Sequence, residues 1–183
     1  MNKLQALFAS AALALGFGSP AFAQQYQGTP AVGLGAAIDN CLNKNLSSSE
    51  RIEACGEVIH TNLLPPRYRA RFLALRGNEY FASDNLADAL ADYNHAIALY
   101  PILQEAFVNR GVIFLRLGQC QQAVSDFSTV LASDAGSWRA LYGRGICEEK
   151  AGDQARAQSD QAQAMAINPD APREFAPAEI TID

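Results

Sequence analysis

Leu73-Ala74-Leu75-Arg76-Gly77-Asn78-Glu79-Tyr80, Phe107-Val108-Asn109-Arg110-Gly111-Val112-Ile113-Phe114 and Leu141-Tyr142-Gly143-Arg144-Gly145-Ile146-Cys147-Glu148 are three versions of one segment. Gly77, Gly111 and Gly145 follow one another at intervals of 34 residues. A second mark trails each of them: Ala89-x-x-x-Tyr93, Ala123-x-x-x-Phe127 and Ala157-x-x-x-Gln161. A third is Pro101 and Pro169, with Ala135 at the matching place between them. The frames 70–103, 104–137 and 138–171 join without insertion. A fixed period of this length is the mark of a repeat architecture.

The pattern resembles the tetratricopeptide family: a large residue and a Gly in the first half, then Ala-x-x-x-Phe, then Pro, over 34 residues. The resemblance implies an all-α helical solenoid in which each repeat is a pair of antiparallel helices. Arg76, Arg110 and Arg144 depart from it, standing where the family usually has Leu. Glu148 and Gln161 replace aromatics in the last repeat.

The chemistry suits that fold. Small residues at Gly77 and Ala89 let paired backbones approach closely, and Leu73, Tyr80 and Tyr93 fill the space around the contact. Asp84, Asn85, Gly118, Gly152 and Asp153 supply the breaks and caps between paired helices. One hairpin cannot bury its apolar face, so neighbours must stack into a continuous core.

Residues 36–69 read as a degenerate N-terminal hairpin. One helix is expected over Leu34 to Asn45. A second starts at the capping box Ser47-x-x-Glu50 and runs through about His60, and Pro65 and Pro66 end it. Residues 24–35, with Gly28, Thr29 and Pro30, read as a flexible leader. At the other end, Pro172 and Pro177 argue against helix in the tail, 172–183. The last helix carries Gln154, Arg156, Gln158, Asp160, Gln161 and Gln163, which suit the polar outer face of a terminal repeat.

Residues 1–23 have the form of a signal peptide: Lys3, an apolar run from Leu4 to Phe17, and Ala21-Phe22-Ala23 before Gln24. The run is too short to span a bilayer. Signal and repeat style together suggest a small exported bacterial protein, periplasmic in the first instance and secreted in the second. Cleavage removes Lys3 and moves the formal net charge from −5 to −6. An acidic chain without a basic run is a poor binder of nucleic acid and of anionic membranes. No membrane insertion is expected after cleavage. Export places Cys41, Cys55, Cys120 and Cys147 in an oxidising compartment, where an even count suggests two disulfides in one of three pairings. The repeat frame favours one of them. Cys41–Cys55 would staple the weakest hairpin. Cys120–Cys147 would join the start of one second helix to the late part of the next first helix.

The arginines have acidic counterparts. Asp92, Asp126 and Asp160 recur with the same period as Arg76, Arg110 and Arg144. Counting around the hairpin turn puts each Arg level with its own Asp. Counting around the next turn puts Asp92 level with Arg110, and Asp126 level with Arg144. The expectation is a structural ion-pair ladder that runs alternately along the stack.

The family resemblance implies a concave binding face lined by the first helices. The positions it picks out are Arg71, Ala74, Asn78 and Phe81, then Glu105, Val108, Val112 and Leu115, then Arg139, Tyr142, Ile146 and Glu149. Arg71, Asn78, Phe81, Val108, Val112, Leu115, Arg139, Tyr142 and Ile146 are therefore the expected partner-binding residues, an apolar strip with charges at its rim. One subtype of the family grips a C-terminal carboxylate with Lys, Asn, Asn, Lys and Arg. Asn78 and Asn109 match it and Arg139 is conservative, but Ala74 and Gly143 fail at cationic positions, so a carboxylate clamp is not expected. The tail, with Phe175, Ile180 and Ile182, is expected to fold back on Tyr142 and Ile146 or onto the outer side of the last helix.

His60 and His95 lie on different units, with no carboxylate or cysteine constellation at metal-ligand spacing. Nucleophile-elbow and phosphate-loop signatures do not occur. No metal, cofactor or catalytic activity is expected. The reading is an exported scaffold that holds a protein or peptide partner in its groove, in an envelope assembly. The alternative is a structural module that associates with itself as a homo-oligomer.

Overall fold

The computed structural model of the chain describes residues 32–61 and 63–175. The expected signal segment and its cleavage site, most of the leader, and residues 176–183 with Ile180 and Ile182 lie outside the described residues.

Among the described residues every regular element is helical. The helices are α1 (Val32–Leu42), α2 (Ser48–His60), α3 (Pro66–Ala82), α4 (Leu86–Leu99), α5 (Gln104–Arg116), α6 (Cys120–Ser133), α7 (Trp138–Lys150), α8 (Gln154–Ile167) and α9 (Ala171–Phe175). The first eight form four antiparallel hairpins, each packed on the next. Consecutive first helices α3, α5 and α7 also touch one another, which sets them on the inner side of the stack.

The ends of these helices follow from their sequences. Ser47 caps α2 in a reciprocal box: its Oγ accepts from Glu50 N at 3.3 Å, and Glu50 Oε2 accepts from Ser47 N at 2.8 Å. The Ser47 hydroxyl also donates to that carboxylate and holds its pKa below the usual range. Asn85 and Asp153 cap α4 and α8 through the amides of Asp88 and Arg156. The turns of the last three hairpins then close identically. The amides of Asn85, Gln119 and Asp153 donate to the carbonyls of Tyr80, Phe114 and Glu148 at 2.8, 2.8 and 2.9 Å. The residue before each donor is left-handed: Asp84 at φ 60°, Gly118 at 71° and Gly152 at 85°. This is the Schellman closure, which costs glycine nothing and aspartate little.

Boundaries differ from the sequence reading in three places. Helix α1 starts at Val32, inside the expected leader. Pro65 and Pro66 do not close the second helix. Helix α2 ends at His60 as expected, but the prolines cap and open α3 instead, where a first-turn proline lacks only an amide that would have no intrahelical partner. For the same reason Pro172 does not prevent helix in the tail, because it is the second residue of α9.

The core is a chain of apolar clusters threaded through the stack. One runs from Leu34, Ile38, Val58 and Phe72 through Leu73 and Tyr93 to Ile113. The next takes in Val108, Val112, Leu115, Phe127, Val130, Cys147 and Phe175. Phe81 packs against both. Glycines set the helix spacing. A Cβ at Gly77 would stand 2.9 Å from the Tyr93 ring, and one at Gly111 would stand 2.8 Å from Phe127. Real carbon atoms do not approach so closely, so these aromatics lie directly on glycine backbone.

The outer side of α8 is less uniformly polar than expected. Asp160 is buried, and Gln161 faces inward over Gly145. Gln154, Arg156, Gln158 and Gln163 are exposed, but so are Met165 and Ile167.

Candidate functional site: the inner face of the stack

Three bidentate ion pairs, one in each of the last three hairpins, hold their paired helices in register. Arg76 donates to Asp92 from Nε at 2.8 Å and Nη2 at 2.7 Å. Arg110 holds Asp126 at 2.8 and 2.6 Å, and Arg144 holds Asp160 at 2.6 and 3.0 Å. The three aspartates are buried. Hydrogen bonding to these carboxylates raises Arg76 and Arg144 further above the ordinary arginine range, against the desolvation of burial. The expected alternation between repeats is not formed. Arg110 spends its remaining Nη1 on Asn94 at 2.6 Å, and Arg144 has Glu148 as its second acidic neighbour, at 3.9 Å. The rungs are separate clamps within hairpins.

Between hairpins a different position makes the link. Glu79, Ile113 and Cys147 are equivalent in the repeat frame, all are buried, and each meets the preceding second helix. Glu79 takes Arg51 of α2 at 2.6 Å. Ile113 joins the cluster that holds Ala89, Tyr93 and Ala96 of α4. Cys147 is disulfide-bonded to Cys120 of α6, with their Cα atoms 5.3 Å apart. Cys41 and Cys55 form the second disulfide, between α1 and α2, at a Cα separation of 4.8 Å. One position thus carries an ion pair, an apolar contact and a covalent bond in turn. The Arg51–Glu79 pair escaped the sequence reading. The signal was a charged residue at a frame position that is apolar in the other two repeats.

The inner face itself divides into a polar half and an aromatic half. In the polar half Asn78 is the hub. Its Oδ1 accepts from the Tyr93 hydroxyl and from Asn109 Nδ2, both at 2.7 Å, and its Nδ2 donates to Glu105 at 3.0 Å. Burial, with the Glu105 charge behind it, pushes the Tyr93 phenol up, so it remains a donor at any ordinary pH. Asn78 and Asn109 are thereby engaged inside the protein. Arg71 and Phe81 are half-buried beside them, and Arg116 reaches from α5 over the Phe81 ring to Asp84 at 2.7 Å.

In the aromatic half Tyr142 and Ile146 are half-buried and Arg139 is exposed at the rim. The expectation of an open apolar strip needs correction. Val108, Val112 and Leu115 are 6%, 3% and 2% exposed. They form one cluster with Phe81, Tyr142, Ile146 and Phe175, so the strip is closed at its centre. Phe175 is itself buried. Its ring lies 5.4 Å from that of Tyr142 and 6.3 Å from that of Trp138, the latter edge-on at 76°. Of the two places expected for the tail, its described part takes the inner one.

These features can be set beside known proteins. The tetratricopeptide repeat family model matches residues 108–172. A crystallised tetratricopeptide repeat protein from Parabacteroides merdae superposes with a TM-score of 0.67 at 19% identity, over 80% of this chain and 59% of that one. The stack is a tetratricopeptide-type solenoid. The first such domain of Spaghetti (RPAP3), solved bound to the HSP90 peptide SRMEEVD, superposes on this solenoid with a TM-score of 0.55. Its identity is 22%, over 61% of this chain and 91% of that one. Mouse tetratricopeptide repeat protein 16 is 31% identical over 105 residues, 54% of this chain but 14% of the mouse protein. The solenoid therefore corresponds to a small part of that relative's length.

Among the described residues no group of three or more His, Cys, Asp or Glu side chains is placed to hold a metal ion. His60 is occupied by the Gly56 carbonyl at 2.7 Å, and His95 is exposed on α4. No helix among the described residues is long and apolar enough to cross a membrane.

Proposed function

We propose that this solenoid is an exported, non-catalytic scaffold that holds a protein or peptide partner on its inner face, within an envelope assembly. One observation carries the reading. Half-buried Phe81, Tyr142 and Ile146 line up on the inner side of the stack, between the charged groups Arg71, Glu105 and Arg139. An apolar centre with a polar rim is the anatomy of a protein-binding surface. The Spaghetti domain, of the same fold, holds a peptide in its structure. Export to the periplasm, or secretion, is supported by the signal-like sequence and by the pairing of all four cysteines, the state an oxidising compartment gives.

A carboxylate clamp is not the mode of binding. Two positions that would need cations are Ala74, which is buried, and Gly143. A Cβ at Gly143 would fall 2.5 Å from the Phe127 ring. Asn78 and Asn109 are committed to each other and to Tyr93 and Glu105. The partner contributes apolar side chains instead.

The test is a random peptide library selected on the immobilised full chain. Enriched peptides lose at least about tenfold in affinity for Phe81→Ala and Arg71→Ala while the circular dichroism is unchanged. Peptides indifferent to both substitutions overturn the reading. The second reading, self-association, rests on Met165 and Ile167, 40% and 52% exposed on α8. Light scattering that shows a monomer at high micromolar concentration removes it.

A further inference from the structure

Trp138 and Tyr142 have no aromatic counterparts in the other repeats. The frame places Gln104 and Val108, and before them Ala70 and Ala74, at the same positions. The two rings stand one turn apart on α7 and both meet a single side chain, that of Phe175. The contacts are edge-on and tilted, the geometries in which aromatic pairs attract beyond simple burial.

The segment that delivers Phe175 is slight. Helix α9 has five residues, too few to be stable alone. It follows a turn in which Asp170 N donates to Asn168 Oδ1 at 3.1 Å and Ala171 N to Asn168 O at 3.0 Å. Of the side chains described in α9, Ala171 and Phe175 are buried, and Pro172 and Arg173 are exposed. Two apolar side chains thus seat it on the solenoid.

We propose that the surface between Trp138 and Tyr142 is a recognition slot for an aromatic side chain on a short peptide, and that the chain's own Phe175 fills it as an internal competitor. The proposal rests on the inner face being the binding face, and it names the chemistry taken at one end of that face. A partner segment enters by presenting an aromatic residue to the two rings and displacing α9. Its apparent affinity falls by the fraction of time that Phe175 is seated.

The probe is a synthetic peptide of residues 171–183, APREFAPAEITID. It is titrated into the full chain and into full-length Phe175→Ala, with Trp138, the one tryptophan, as fluorescent reporter. The variant binds the peptide at least about tenfold more tightly than the unmodified chain does. A peptide with Ala in place of Phe does not bind. A folded Phe175→Ala chain that fails to bind the peptide overturns the proposal, since Phe175 is then only a core residue. If peptides selected on the chain still depend on Phe81 in that case, the slot fails and the inner-face reading stands. Should Phe175→Ala not fold, hydrogen exchange on the unmodified chain decides. The amides of 173–175 exchange through local opening, at least about tenfold faster than those of the middle of α7. Equal rates, set by global unfolding alone, overturn the proposal.

Discussion

The ring of Phe127 reaches across a repeat boundary onto Gly143, where an added Cβ would stand 2.5 Å from Cζ. The same ring lies on Gly111 within its own repeat. Gly143→Ala therefore pushes neighbouring repeats apart, and we expect a loss of about 1–3 kcal/mol in urea unfolding. Phe127→Leu alone is costly because it empties this space. Combined with Gly143→Ala it recovers part of the loss, and strict additivity of the two would show that the contact does not set the spacing.

The Arg110–Asp126 clamp makes the second prediction. Arg110→Leu restores the residue usual in the family and leaves Asp126, 4% exposed, without its partner. Removing one member of such a pair costs about 3 kcal/mol. Asp126→Leu added to Arg110→Leu then regains much of it. Binding of selected peptides stays unchanged, because the clamp lies between paired helices and not on the inner face. A melting temperature equal to that of the unmodified chain would contradict this.

These two sites show what the sequence made legible. The 34-residue period exposed the hairpins and the pairing of each Arg with the Asp sixteen residues on, which recur in all three repeats, and the glycine–aromatic stacking, which recurs in the first two. What escaped does not recur. Val108, Val112 and Leu115 have the right spacing for the inner face, but spacing says nothing of what closes over a face. The cross-repeat rungs failed because a count of heights ignores competing partners, here Asn94 and Glu148. Pro172 was read as a helix breaker when its place, at the head of α9, is one a helix tolerates.

Reduction is the third test. The disulfides close loops of 14 and 27 residues in sequence separation, and chain entropy assigns each about 3–4 kcal/mol. Cys120→Ala with Cys147→Ala should loosen the junction of the last two repeats. Cys41→Ala with Cys55→Ala should release the first hairpin and leave the rest folded. Hydrogen exchange resolved by segment separates the two outcomes, and uniform loosening in both variants would argue against them.

Glu148 gives a dependence on pH. Its side chain is largely buried, Oε2 has no hydrogen-bond partner, and Arg144 stands closer to Asp160 than to it. Desolvation first, and the Asp160 charge second, raise its pKa above the ordinary Glu value. A group whose pKa rises on folding favours the folded state when protonated. Its contribution is therefore present below the unfolded-state Glu range and is lost as pH climbs through the raised value. Glu148→Gln should accordingly raise the melting temperature at pH 7, with an advantage that shrinks toward pH 4. An equal gain at both pH values would exclude titration of Glu148 as the cause.

Site-specific photo-crosslinking in the producing cell tests most directly the claim that the inner face holds a partner. A photoreactive phenylalanine replaces Phe81 on the inner face in one chain, and exposed Gln122 on α6 in another. We predict a discrete heavier adduct from position 81, in the exported fraction, and none from position 122. An adduct from position 122 with none from position 81 would contradict the account.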